Sequence, residues 1–134
     1  MPKNAQAPEQ LAAKARGMAL RVNLEIDVGL HRGGFADGAA LAEALTMAKA
    51  AGVEVAGLMG YEPHVPKMPD VDGAWADAQG AYAKAIAALK AAGHDPARLT
   101  LNSAGSPTFR RHCKGTVANE VSVGSAFVKP GDFD

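Results

Sequence analysis

The sequence predicts an α/β fold of parallel βαβ units, and three observations predict it. Short strand-like runs alternate with longer helix-like runs. Gly, Pro and Asp punctuate the chain where such elements start or stop. The 134 residues are enough for one domain with a modest core. Strands joined through helices return to the same end of a sheet, so they pair parallel.

Composition narrows the function classes. Fourteen basic and fourteen acidic side chains balance to a formal charge of zero. That argues against a nucleic-acid or polybasic membrane role. No apolar run approaches the ~18 residues of a membrane span. The opening Met-Pro-Lys-Asn-Ala-Gln carries no apolar stretch after its lysine, unlike a signal peptide. The single cysteine, Cys113, has no internal disulfide partner. A soluble, cytoplasmic protein is expected.

Residues 1–19 read as a leader and a short helix. Pro8 takes its first position, Glu9 its first turn and Gly17 its stop, with Leu11, Ala12 and Ala15 as an apolar stripe. From Leu20 to Gly29 the chain alternates strictly. Leu20, Val22, Leu24, Ile26 and Val28 are apolar; Arg21, Asn23, Glu25 and Asp27 are polar. That is a strand with two different faces. Asp37 is placed to cap a helix whose stripe is Leu41, Ala44, Leu45 and Ala48, closed by Gly52.

Val53–Tyr61 is the second strand. Asp70 or Asp72 caps the longest helix, with the stripe Trp75, Ala78, Tyr82, Ile86 and Leu89 and a stop at Gly93. Leu99–Asn102 is the third strand, and a brief helical turn follows Pro107. Asn119–Val128 is the fourth strand. The polar face of the first strand favours a barrel over an open doubly wound sheet, because charges can pair across a lumen. Thr100, Asn102, Glu120 and Ser122 are candidate partners. The competing reading is an antiparallel sheet with one wet face, which the intervening helices oppose.

The strand exits carry the residues with chemistry. In Ser103-Ala-Gly-Ser-Pro-Thr-Phe109, the residues Ser103, Gly105 and Ser106 offer hydroxyls and an open backbone, and Pro107 pre-sets a helical turn. Such a loop aims N–H groups at an anion. Gly124 and Ser125 let a ligand approach the fourth strand, so two adjacent exits offer one phosphate cup. An ordinary tight turn beside a strand glycine has the same spacing. Arg32 follows the first strand, where a guanidinium binds a carboxylate or faces a heterocycle, or is simply a surface arginine. Tyr61, Glu62 and His64 follow the second strand. A phenol and an imidazole there suit stacking or proton transfer, and a lone histidine is more often structural. His31 shares that ambiguity. His112 and Cys113 are adjacent, so their side chains diverge and no metal site follows.

These residues in this order resemble the pyridoxal-phosphate enzymes of fold type III, the alanine-racemase N-terminal-domain superfamily. The D-threonine aldolase and D-serine dehydratase-like branch fits best. The matching stretches are LEIDVGLHRGGF (24–35), VAGLMGYEPHV (55–65), LTLNSAGSPTF (99–109) and ANEVSVGSAFV (118–128). The resemblance implies strands five to eight of a TIM-type (β/α)8 barrel, with residues 20–134 as its C-terminal half. It implies that Arg32 and Tyr61 contact the ring of pyridoxal 5'-phosphate. It implies that Ser103, Gly105, Ser106, Gly124 and Ser125 hold the phosphate, and that His64 lies just beyond Tyr61 as a catalytic candidate.

The cofactor would act as an electron sink on an amino-acid substrate, giving aldolase, dehydratase or racemase chemistry. The family's Schiff-base lysine lies on an earlier strand, and none of Lys3, Lys14, Lys49, Lys67, Lys84, Lys90, Lys114 and Lys129 matches it. The branch's divalent metal would need segments beyond those present. A complementary N-terminal half barrel or self-association is therefore expected. The alternative is a non-catalytic phosphate-binding or interaction half barrel.

Overall fold

A computed structural model describes residues 16–128. The expected helix from Pro8 and the lysines Lys3, Lys14 and Lys129 lie outside the described residues. Within them run β1 (Arg21–Glu25), α1 (Gly38–Ala50), β2 (Glu54–Met59), α2 (Val71–Ala91), β3 (Thr100–Ser103) and β4 (Glu120–Val121). The strands pair in the order β1-β2-β3-β4, each pair parallel. This is the α/β sheet of a partial TIM-type barrel. The antiparallel alternative is excluded by the three parallel pairings.

Local chemistry sets the helix ends. The Asp37 carboxylate accepts the Ala40 N–H at 2.7 Å, and Gly52 at φ +69° follows the last turn of α1. Of the two candidate caps for α2, Asp70 serves: its carboxylate accepts the Gly73 N–H at 2.9 Å. Gly93 at φ +88° ends the run. The stripes predicted for both helices face the sheet. Leu41, Ala44, Leu45 and Ala48 of α1 and Ala78, Tyr82, Ala85 and Leu89 of α2 are buried against Leu24, Ile26, Val28, Val55, Leu58 and Leu101. Trp75 and Ile86 are partly buried at the margin.

All four strands run over different limits from those the apolar patterns suggest; β3 is Thr100–Ser103 instead of Leu99–Asn102. β1 ends at Glu25, with Ile26 N–H still donating to Met59 O at 2.9 Å, and the returning loop covers its outer edge. Ile26 bridges to Phe35, Asp27 N–H donates to Phe35 O and Phe35 N–H donates to Glu25 O, both at 2.9 Å. β2 ends at Met59, where Gly60 N–H donates to Asn102 O at 2.9 Å. β4 is far shorter than Asn119–Val128. Asn119 N–H donates to Leu101 O and Ser122 N–H to Ser103 O, both at 3.0 Å. Beyond Ser122, the N–H groups of Gly124 and Ala126 turn to the Ser106 hydroxyl instead of the ladder. The helical turn after Pro107 is a 3-10 segment, Phe109–Lys114.

Two contacts fix the sheet closely. A Cβ on Gly57 would overlap the Thr100 carbonyl, so β2 and β3 approach as only glycine permits. From the helix side, the fully buried Tyr82 donates its hydroxyl proton to Asn102 O at 2.7 Å, with Leu58 O at 3.3 Å. Gly57→Ala should therefore lose at least the upper part of the ~1–3 kcal/mol typical of overpacking. Urea unfolding compared with the unaltered chain measures it.

Candidate functional site

The loop after β1 is organised by Asp27. Its Oδ1 accepts the N–H groups of Gly29 at 2.9 Å and His31 at 3.0 Å, and its Oδ2 meets His31 Nδ1 at 2.7 Å. His31 sits at φ +56°, a conformation this turn imposes. The turn delivers Arg32 to the strand exits. There Arg32 Nη2 donates to Glu25 Oε1 at 3.1 Å, and the guanidinium lies 4.8 Å from the centre of the Tyr61 ring. The polar face of β1 thus positions a cation on an aromatic ring. Its other partner is Glu54 on β2, which pairs with Arg21. The pairing of the first strand's charges across a lumen, expected from the sequence, is not formed among the described residues, because those charges find partners nearer by. Asn102 instead bonds its neighbouring strand, its Nδ2 donating to Glu120 Oε1 at 2.7 Å and to Ser122 Oγ at 2.8 Å.

The loop after β3 is held from below by Glu62, which is 1% exposed. Its Oε2 accepts Ser103 Oγ at 2.7 Å and Ala104 N–H at 3.3 Å. Its Oε1 accepts Thr108 Oγ1 at 2.8 Å and His112 Nε2 at 3.1 Å. The His112 side chain is 5% exposed; its Nδ1 meets Thr116 Oγ1 at 2.7 Å, and the Trp75 ring stands edge-on to it. Ala104 adopts φ +71°, a left-handed conformation that costs a non-glycine residue about 1–2 kcal/mol.

Above this network lies an open cavity of about 470 Å³. It gathers six of the eight residues singled out in the sequence: Arg32, Tyr61, Gly105, Ser106, Gly124 and Ser125. Tyr61 reaches its place because Gly105 has no side chain; a Cβ there would stand 2.5 Å from the ring. Ser106 Oγ accepts Gly124 N–H at 3.1 Å and Ala126 N–H at 2.9 Å, joining the exits of β3 and β4. The other two residues lie off the cavity. Ser103 is buried with its hydroxyl on Glu62. The His64 ring packs over Gly29, and its buried Nδ1 has no hydrogen-bond partner among the described residues.

Glu62, Thr108 and His112 anchor the loop that borders the cavity, and sequence reasoning assigned them no role. Glu62 stood in view beside Tyr61. Its partners lie more than forty positions away, so only the closing of β2 against β3 reveals them. No lysine lines the cavity among the described residues. No group of three or more metal-ligating side chains is found among them either.

The chain matches the family model described as "Alanine racemase, N-terminal domain" over residues 2–130. No curated protein matches it. It is similar to the solved D-threonine aldolase from Filomicrobium marinum at 26% identity, over 96% of this chain and 36% of that chain, with a TM-score of 0.74. The D-threo-3-hydroxyaspartate dehydratase from a Delftia species aligns at 23% identity, over 90% of this chain and 33% of that one, with a TM-score of 0.76. The alanine racemase from Bacillus anthracis with bound L-Ala-P aligns at 18% identity, over 91% and 31%, with a TM-score of 0.73. The last two show the fold alone. The chain spans about a third of the length of these structures.

One prediction concerns the first loop. Burial of Asp27 works to raise its pKa, but the N–H groups of His31 and Gly29 and the His31 side chain outweigh burial. Its carboxyl is held below the ordinary 3.8. A depressed carboxyl stabilises the fold above the unfolded-state pKa, and that stability is lost as pH falls through the folded value. Asp27→Asn should therefore be less stable than the unaltered chain at pH 7. The difference should close below about pH 3.8, as thermal melts across pH 2.5–7 (~0.5-unit steps) will show.

Proposed function

Because the chain belongs to the alanine racemase N-terminal-domain family, we propose that its cavity is the phosphate- and ring-binding side of a pyridoxal 5'-phosphate site. The chain then contributes to a PLP-dependent amino-acid enzyme of the D-amino-acid aldolase, dehydratase or racemase type. The observation that carries this reading is the Ser106 bridge. One hydroxyl ties two strand exits together, beside open space at Gly124 and a guanidinium stacked on Tyr61.

The residues fit the phosphate and ring ends of the cofactor. Ser106, Gly105 and the backbone near Gly124 would hold the phosphate. Tyr61 would face the ring and Arg32 the ring edge or the substrate carboxylate. When bound, the cofactor supplies an electron sink for bond cleavage at the substrate's α-carbon. The protein's own part here is to bind and orient. The catalytic roles considered for Tyr61 and His64 differ in support: Tyr61 borders the cavity, whereas His64 is packed against Gly29.

A second reading has a specific observation behind it. No lysine borders the cavity among the described residues, which favours a binding half barrel without its own covalent anchor. In both readings the site is completed by a complementary half barrel or a second copy, in the cytoplasm. The outer edge of β4, which pairs with no further strand among the described residues, and the exposed Val121, Phe127 and Val128 support this.

Titrating the full chain with pyridoxal 5'-phosphate should change cofactor absorbance and quench Trp75 fluorescence, with inorganic phosphate competing. Gly124→Val places its side chain in open space, so it should fold normally and lose cofactor binding. Unchanged affinity would reject the cup. Size-exclusion chromatography with light scattering should show association. A stable, non-aggregating monomer would sink the partner proposal.

A further inference from the structure

Arg32 is the only charged side chain that borders the cavity among the described residues. A guanidinium carries five N–H donors, and one bond engages it here: Nη2 donates to Glu25 Oε1 at 3.1 Å. The Arg32 side chain is 56% exposed and that of Glu25 35% exposed, so the pair is open to whatever enters the cavity. The wall formed by Gly105, Ser106, Gly124 and Ser125 brings no charged side chain.

Glu25 does two separable things. It accepts a hydrogen bond, which orients the guanidinium over the Tyr61 ring. It also sets a negative charge against the positive one. A neutral acceptor of the same shape would suffice for the first, so the charge calls for its own account.

An anion that reaches Arg32 meets Glu25 as well. Each negative charge it carries is attracted by the one and repelled by the other. A carboxylate meets that repulsion once and a phosphomonoester dianion twice. The N–H bonds that the guanidinium fork gives are alike for carboxylate and phosphate oxygens. The balance at Arg32 therefore tilts against the dianion. Without Glu25, the cavity's one cation would compete with the β3 and β4 exits for a phosphate.

We propose that Glu25 is a specificity-determining residue, whose charge keeps dianions off Arg32 and leaves that position to singly charged or neutral groups. A ligand with a phosphate at one end then enters in one orientation, with its phosphate away from the arginine. This orientation rests on the phosphate reading above. The selectivity at Arg32 does not.

The test uses Glu25→Gln, which removes the charge and keeps an acceptor for Arg32 Nη2. NMR titrations of the full chain at low salt would compare methyl phosphate, a dianion at about pH 8, with acetate, a monoanion. The variant should bind acetate about threefold and methyl phosphate about tenfold more tightly than the unaltered chain, because the charge product doubles. It should also take up a second equivalent of methyl phosphate. Adding Arg32→Gln should abolish both gains. Glu54→Gln removes the same charge at the start of β2, away from the strand exits, and should give neither. Circular dichroism checks folding, and Glu25→Ala serves if the glutamine variant does not fold. Equal gains for the two anions, no gain, a gain that survives loss of Arg32, or one matched by Glu54→Gln overturns the proposal. An unaltered chain that binds no methyl phosphate, beside a variant that gains it at Arg32, overturns the phosphate reading and leaves the role of Glu25 standing.

Discussion

Burying Glu62 costs several kcal/mol of hydration unless its carboxylate oxygens find donors. The chain supplies four: Ser103 Oγ, Ala104 N–H, Thr108 Oγ1 and His112 Nε2. All four come from β3's last residue, its exit loop and the following 3-10 segment. That segment therefore cannot drift from the end of β2 without leaving a charge uncovered, a change that costs ~3–5 kcal/mol when one partner of a buried pair is removed. The same constraint explains why Ala104 holds φ +71°. Its N–H bond to Glu62 offsets a strain of about 1–2 kcal/mol. Gly105 and Ser106 are then presented to the cavity from a fixed base.

The sheet is held at the same level from its other face. Tyr82 rises from α2 and donates to Asn102 O, the carbonyl that also accepts Gly60 N–H. Burial first, then the charges of Glu62 and Glu120, push the Tyr82 pKa far above its usual 10. Its proton stays in place, and Tyr82 remains a donor throughout the physiological range. Helix packing and the carboxylate network therefore meet at the ends of β2 and β3. The polar face adds its own ties. Glu120 and Ser122 both bond Asn102, and Glu25 holds Arg32 against Tyr61.

What was legible in the sequence was local. Asp37 and Gly52 bracket α1 because caps and left-handed stops act within one turn. The stripe of Tyr82 and Leu89 reads as core because helix periodicity needs no partner to be visible. Strand limits were less legible, since competition for N–H groups sets them. Ser106 Oγ takes the N–H groups beyond β4, and it is not visible in the apolar pattern of the strand itself. Gly105, Ser106, Gly124 and Ser125 line one cavity, as the spacing of two adjacent exits implied. That Ser103 is committed to Glu62 while Ser106 borders the cavity was not legible, because it depends on Glu62 closing from another strand.

Binding a phosphate and carrying out covalent chemistry make different demands on this fold. A phosphate cup needs two adjacent strand exits, and the β3 and β4 exits are joined inside this chain by Ser106. A covalent anchor needs a lysine at the cavity wall, and the described wall has none. The two open edges differ in the same practical sense. The edge of β1 is partly occupied where Ile26 meets Phe35. The β4 edge offers a two-residue strand with Val121 exposed in it and Phe127 and Val128 exposed after it. Apolar burial would therefore gain most on the β4 side, immediately beside Gly124 and Ser125.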